Sequence, residues 1–257
     1  MNFFINAMCI THKGNIRRNN EDNLYFDGRY LNEKHSELKY VQSIRRNSED
    51  VCLFAVFDGI GGECFGEKAS YLAARELDRK RQELTKVLQN PRQFLTDTCM
   101  QMNRCICSKA EEFMAQGMGT TASILFFQAD QFYVCNLGDS PIFRLHGGKL
   151  QKIYEEHTIR ELLEEYGIKG RTPSLTQCLG ISEDELRLEP YIAKGNLHSG
   201  DQFLICSDGL TDMVSTEVIS DIMQSAETQE ECVNQLLLRA LKNGGRDNIT
   251  IMLCRIV

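Results

Sequence analysis

Three short apolar runs in this chain each end at an aspartate beside a glycine. Leu53-Phe-Ala-Val-Phe57 runs into Asp58-Gly59, Val134-Cys-Asn-Leu137 into Gly138-Asp139-Ser140, and Phe203-Leu-Ile-Cys206 into Ser207-Asp208-Gly209. Short apolar runs rich in β-formers and bounded by turn residues read as buried strands. Two further acidic groups abut strands from the other side. Glu21-Asp22-Asn23 precedes residues 24–26, and Asp247-Asn248, behind Gly244-Gly245, precedes residues 249–256. A fold for this chain must bury these strands and still leave acid at their ends.

The segments between them show helical spacing. Ala69, Leu72, Ala73 and Leu77 recur on one face, and after Asn90-Pro91 so do Leu95, Cys99, Met102, Ile106, Ala110 and Phe113. Proline after asparagine is a helix-start signal, and a stripe of this kind is core packing. From Gly119 the period becomes strand-like over residues 120–127, 131–137 and 141–146, with Gly147-Gly148 turning a hairpin into 149–153. Residues 158–166 read as a helix stopped by Gly167. Two more helices follow, at 217–223 and 228–241, the second opened by a Thr228/Glu231 capping box. Residues 32–50 are polar and read as a surface excursion of little order. The block order, strands, helix pair, strands, helix pair, predicts antiparallel sheets covered by helices: an α+β layered fold. With no linker or repeat, residues 1–257 read as a single domain.

The charge balance is 29 Lys+Arg against 36 Asp+Glu, a net −7, which speaks against a nucleic-acid partner. No apolar stretch reaches the roughly 18 residues of a membrane helix, and the start Met1-Asn-Phe-Phe-Ile-Asn has no secretion-leader pattern. The expected location is therefore cytoplasmic. Eleven cysteines, odd in number, scattered and without a C-x-x-C pair, fit buried free thiols better than zinc ligands.

Each acidic turn alone has a plain explanation, since Asp-Gly and Asp-Asn are turn formers. Five of them flanking buried strands point further. Strand ends in one layered domain tend to converge, and converging carboxylates repel unless cations neutralise them. Oxygen ligands without accompanying Cys or His select hard ions, Mg²⁺ or Mn²⁺. The wide sequence spacing excludes an EF-hand loop and favours a catalytic metal pair.

The chain resembles the metal-dependent serine/threonine protein phosphatases, the PPM or type 2C group, in its bacterial form. The motifs that carry the resemblance run in order: Gly14-Asn-Ile-Arg17-Arg-Asn-Asn-Glu21-Asp22, Asp58-Gly-Ile-Gly-Gly62, Gly119-Thr-Thr-Ala122, Gly138-Asp-Ser140, Leu175-Thr-Gln-Cys-Leu-Gly180, Ser207-Asp-Gly209 and Gly245-Arg-Asp-Asn-Ile-Thr250. The resemblance implies a four-layer α-β-β-α sandwich, two central antiparallel sheets flanked by helix pairs, with metal ions in a cleft at one edge. It implies that Asp58 bridges two Mn²⁺ or Mg²⁺ ions. The Gly59 carbonyl and Asp22, through water, or alternatively Glu21, would serve one ion; Asp208 and Asp247 would serve the other. Asp139 with Asp208 would hold a third. Arg17 would bind substrate phosphate, its planar guanidinium suited to two oxygens. Hydroxide bridging the metals would attack phosphorus directly, with phosphoserine or phosphothreonine proteins as substrates and a Ser/Thr kinase as physiological counterpart.

The chain departs from that pattern in three places. Ile60 stands where relatives carry histidine or methionine, so no side-chain acid serves the leaving group there. Pro141 replaces the usual arginine after Gly-Asp-Ser, with an expected effect on strand pairing. The flap, residues 167–174, is short. His146 and His157 read as surface or turn residues. The rival reading is a catalytically weak pseudophosphatase, a binding module on the same fold; such proteins typically lose a metal ligand, and none is missing here. A narrower rival is a phosphatase for one regulator, against which Arg17 speaks.

Overall fold

The computed structural model describes residues 3–61, 65–84, 88–168 and 173–257. Its strands are β1 (Phe4–His12), β2 (Asn23–Phe26), β3 (Gln42–Asn47), β4 (Cys52–Phe57), β5 (Gly59–Ile60), β6 (Gly119–Thr120), β7 (Ala122–Gln128), β8 (Gln131–Leu137), β9 (Ile142–His146), β10 (Lys149–Lys152), β11 (Tyr191–Asn196), β12 (Gln202–Cys206) and β13 (Ile249–Ile256). Its helices are α1 (Gly66–Gln82), α2 (Pro91–Phe113), α3 (Arg160–Glu165), α4 (Asp208–Thr211), α5 (Thr216–Ser225) and α6 (Gln229–Lys242). One sheet has six strands in the order β10-β9-β12-β13-β1-β3, the other five in the order β11-β8-β7-β4-β2, and β5-β6 form a small ladder. Every pairing between these strands is antiparallel.

Strand alternation sorts the apolar residues into layers, because successive side chains point to opposite faces. On β4, Leu53, Ala55 and Phe57 pack with Ala69, Leu72 and Leu77 of α1 and Leu95, Cys99 and Met102 of α2. The alternate residues Cys52, Phe54 and Val56 face the other sheet, meeting Phe203, Ile205, Met252 and Cys254. On β13, Ile249, Ile251 and Leu253 pack with Ile219, Val233, Leu236 and Leu237 of α5 and α6. The result is helix pair, five-stranded sheet, six-stranded sheet, helix pair, the four-layer α-β-β-α sandwich and α+β class expected.

The helix starts are where the side chains put them. Asn90 Oδ1 accepts from the Gln93 N–H at 3.1 Å ahead of Pro91, and Thr228 Oγ1 accepts from the Glu231 N–H at 3.1 Å. Gly147 and Gly148 both have positive φ, 56° and 77°, as a two-residue hairpin turn requires.

Several expectations need correction. The 32–50 segment is not without order, since β3 lies within it and pairs with β1 from Phe4↔Asn47 to Cys9↔Gln42. Its exposed Gln42, Ser43 and Arg45 hid it, because an edge strand needs little apolar surface. β1 and β11 are strands the apolar pattern did not mark. The 120–127 run is two strands broken at Thr121, whose backbone N–H donates to Asp58 O at 2.9 Å. The 158–166 helix covers only Arg160–Glu165. Pro141 leaves the pairing intact, because it precedes β9 and its carbonyl accepts from the Cys206 N–H at 3.1 Å. Met1, Gly62 and the flap positions 169–172 lie outside the described residues.

Candidate active site

The acidic residues named from the sequence meet at one end of the two sheets. β4 delivers Asp58 there, and the turn is clamped from β6 and β7. Asp58 N–H donates to Thr121 Oγ1 at 3.0 Å, while Asp58 O accepts from the Thr121 N–H at 2.9 Å and from Thr120 Oγ1 at 2.8 Å. The next residue, Gly59, is hemmed by backbone. A Cβ there would stand 2.4 Å from Glu21 O and 2.5 Å from Gly66 O, so no side chain fits.

Asp22 enters from the start of β2 and is fully buried. Its Oδ2 accepts from Ser207 Oγ at 2.8 Å and Thr250 Oγ1 at 2.6 Å, side chains from β12's end and β13. Its Oδ1 has no hydrogen-bond donor among the described residues. The charges of Asp247 and Asp58 lie near this carboxyl. A buried acceptor left in this state costs free energy unless a proton or a cation supplies the missing positive charge.

Asp208 is the first residue of α4, after Ser207 in extended geometry. Gly209 behind it abuts the loop before β13, where a Cβ would lie 1.9 Å from Asn248 O. That contact seats Asp208 against the Asp247 loop. Asp247 Oδ1 accepts from the Asn248 N–H at 2.8 Å, and Asp247 Oδ2 accepts from Arg17 Nη2 at 2.5 Å. Asp139 follows β8. Its loop is pinned by Thr121 Oγ1 to Ser140 Oγ at 2.7 Å and by His157, whose Nδ1 accepts from the Gly138 N–H at 3.2 Å. His157 is thus the turn residue expected, although it braces the Asp139 loop directly.

Electrostatics report the convergence. Burial raises Asp58 well above the ordinary carboxylate range, and Asp22, Asp208, Asp139 and Asp247 push it further. Asp208 is raised to about 8 by burial first, then by Asp139, Asp212, Asp247 and Asp22. Asp22 is raised to about 7 by burial, opposed by its Thr250 and Ser207 hydrogen bonds. Asp139 is raised to about 6 by burial, with Glu156 and Asp212 adding to it. Glu21 is raised by burial and sits nearer α1: its Oε1 accepts from Asn19 Nδ2 at 3.2 Å, and its Oε2 lies where a Gly66 Cβ would be. Arg17 is half-exposed on the rim, beside Asp247 and within reach of the charges of Glu21 and Asp58.

Sequence reasoning missed Asp212, which raises both Asp139 and Asp208. The signal was present: Asp212 stands four residues after Asp208, on the same face of a helical turn. It also missed the hydroxyls of Thr121, Ser207 and Thr250, which no spacing rule assigns to a carboxylate.

The donor set is all oxygen, with a buried orphan at Asp22 Oδ1 and mutually raised carboxyls, and this suits hard divalent cations. A different group, His146, His198 and Asp201, gathers at the other end of β12 with ligand atoms within 4.8 Å of one another. There Arg144 Nη2 donates to Asp201 Oδ2 at 2.5 Å and stands 2.9 Å from His198 Nδ1. The guanidinium sits where a cation would, so that cluster already has its positive charge.

Comparison with known proteins agrees with this geometry. A family profile described as protein phosphatase 2C matches residues 40–242, a span that holds Asp58, Asp139 and Asp208. The serine/threonine phosphatase stp of Listeria monocytogenes is 30% identical over 254 residues, 95% of this chain and 92% of its own. Among solved structures, the catalytic domain of the serine/threonine protein phosphatase PstP, in complex with two manganese ions, superposes with a TM-score of 0.78 at 27% identity, covering 99% of both chains. The PstP/Ppp phosphatase of Mycobacterium tuberculosis does so with a TM-score of 0.79 at 26% identity, covering 98% of both chains. The chain belongs to the protein phosphatase 2C family and is a bacterial-type serine/threonine protein phosphatase.

Proposed function

We propose that residues 1–257 act as one catalytic domain that removes phosphate from phosphoserine and phosphothreonine in proteins, with Mn²⁺ or Mg²⁺ as cofactor. The observation that carries the reading is the meeting of Asp22, Asp58, Asp139, Asp208 and Asp247, from five separate segments, beside one arginine on the rim. A manganese complex is known for the PstP catalytic domain, and the reading extends that cofactor to this chain.

Asp58 would contact two ions, Asp22 or Glu21 and the Gly59 carbonyl would serve one of them, and Asp208 with Asp247 the other. Asp139 with Asp208 would hold a third. Such ions, when bound, lower the pKa of water and so supply a nucleophile at neutral pH. The rest is the work of the chain. Ser207 and Thr250 hold Asp22 in one orientation, and Thr121 fixes the Asp58 turn, so the ligands need little reorganisation. Arg17 presents a planar donor fork to the phosphate oxygens and offsets charge as the phosphoryl group transfers. Ile60, paired with Gly119 in the small ladder, has no proton to give, so no side chain at that position serves the departing serine or threonine oxygen.

Every carboxylate position of the family pattern is filled, which favours an enzyme over an inactive binding module. The ten cysteines among the described residues are free, in keeping with a reducing cytoplasm. No helix of the described residues is long and apolar enough to cross a membrane. A Ser/Thr kinase that makes the substrate is the physiological counterpart proposed. The test is hydrolysis of p-nitrophenyl phosphate and of phosphothreonine peptides with and without Mn²⁺. Turnover that chelator abolishes supports the reading; purified, manganese-loaded protein inert on both substrates would reject it in favour of a binding module.

A further inference from the structure

Two loops far apart in the chain dock on each other at the Asp247 edge of the cleft. Asn15 N–H donates to Gly245 O at 2.7 Å, Asn15 Nδ2 to Leu241 O at 2.9 Å and Gly244 O at 3.0 Å, and Asn248 Nδ2 to Lys13 O at 2.9 Å. Gly14, at φ 80°, lets the backbones close: a Cβ there would sit 2.1 Å from Asp247 O. The docking concentrates charge, for the two loops carry Lys13, Arg17, Arg18 and Arg246, and the last turn of α6 adds Lys242. Arg17 is bound to Asp247. Arg18, Lys242 and Arg246 are exposed and make no ion pair within 4.0 Å among the described residues. Burial raises the Asp212 carboxyl, and Arg246, beside the Gly244 backbone, is one of the two cations that partly oppose that shift. On a chain of net charge −7 this lip is a local reversal of sign.

The surface beside Asp139 has the other sign. A cavity of about 590 Å³ opens beside Asp139, lined by Glu155, Glu156, Arg160, Glu161 and Glu164 among others. Its wall residue His157 holds the Gly138 backbone at 3.2 Å. Two cations of that wall, Lys152 and Arg160, share Glu156 at 3.2 Å and 2.6 Å, so the four glutamates still leave it net negative. Glu155, Glu161 and Glu164 are exposed, with no ion-pair partner among the described residues. The Asp247 edge of the site is thus cationic and the surface beside Asp139 anionic.

We propose that the lip formed by Arg18, Lys242 and Arg246 docks acidic side chains that flank the phosphorylated residue. The enzyme then selects phosphoprotein segments rich in aspartate, glutamate or a second phosphate. This rests on the phosphatase reading above and adds the substrate class. Exposed charges act through solvent and are screened over about 8 Å at physiological salt, so the effect falls on encounter and KM, and weakens as salt rises.

The test uses manganese-loaded protein and three matched phosphothreonine peptides, with acidic, neutral and basic flanks. The wild type is expected to favour the acidic peptide over the basic one by about three- to tenfold in kcat/KM, the difference lying in KM and shrinking in about 0.5 M salt. In an Arg18→Glu/Arg246→Glu double variant the preference disappears or inverts, while p-nitrophenyl phosphate, too small to reach the lip, is hydrolysed as by wild type. An Arg18→Lys/Arg246→Lys variant keeps the preference. Equal kcat/KM across the peptides, or a preference that survives charge reversal, would overturn the proposal and leave the phosphatase reading standing. Failure to hydrolyse any of the four substrates would instead strike that underlying reading.

Discussion

Replacing Asp208 by asparagine should move stability and activity in opposite directions. In the folded chain without metal, burial and the surrounding Asp139, Asp212, Asp247 and Asp22 raise the Asp208 carboxyl from 3.8 to about 8. A carboxyl raised on folding contributes stability that is fully present below its unfolded pKa and is lost as pH rises through the folded one. The loss therefore runs from about pH 4 to about pH 8. At about 1.4 kcal/mol per pKa unit, the upper bound near pH 7.5 is about 5 kcal/mol. Asp208 is partly exposed, and water and relaxation at the cleft reduce that to about 1–3 kcal/mol. Asparagine cannot ionise and so escapes this loss. Asp208→Asn in chelator at about pH 7.5 should melt roughly 2–12 °C above wild type, taking about 2–4 °C per kcal/mol for a chain of this size. At about pH 5 the two should lie much closer. Added Mn²⁺ should raise the melting temperature of wild type far more than that of the variant, and the variant should lose most turnover. The assay is thermal unfolding followed by circular dichroism at both pH values, with and without Mn²⁺. A variant that melts below wild type in chelator at about pH 7.5 would refute the reasoning, since Asp208 would then be stabilising its surroundings rather than straining them.

Arg17→Ala should raise KM for phosphopeptides by about tenfold or more with a smaller fall in kcat, measured by steady-state kinetics; an unchanged KM would reduce Arg17 to a partner for Asp247. Gly209→Ala should destabilise by at least about 2 kcal/mol in urea unfolding, because its Cβ would meet the Asn248 carbonyl at 1.9 Å and backbone there cannot yield without moving Asp247. Thr228→Ala should cost about 1 kcal/mol by removing the acceptor for the Glu231 N–H, with kcat/KM unchanged. An unaffected melting curve for the last variant would mean that the first turn of α6 is held by packing alone.

Much of the fold was legible because burial here follows simple periods. The apolar runs at β4, β8, β12 and β13 are continuous, since each is covered by a helix pair on one face and by the facing sheet on the other. β3 was not legible, because an edge strand with one face in solvent has no need of such a run. Asp58, Asp139 and Asp208 announced themselves by following apolar strands into glycine turns. Asp212 was readable only through its spacing, four residues after Asp208, since nothing in Thr-Asp-Met by itself shows which cleft that turn lies over. The hydroxyls on Asp22 were further out of reach, since Ser207 and Thr250 stand 185 and 228 residues from it.

The alternation of strand blocks and helix pairs, the layered class and the identity of most of the acidic residues were determined by the sequence alone, because period and turn chemistry are local properties. Which carboxylates share one cleft, which is left with an unmatched buried oxygen, and which cations line the rim were decided only when the two sheets closed and the 13–18 loop met the 242–247 loop. Those are matters of distance between residues that the chain separates, and Coulomb energy and hydrogen bonding depend on distance in space rather than along the backbone.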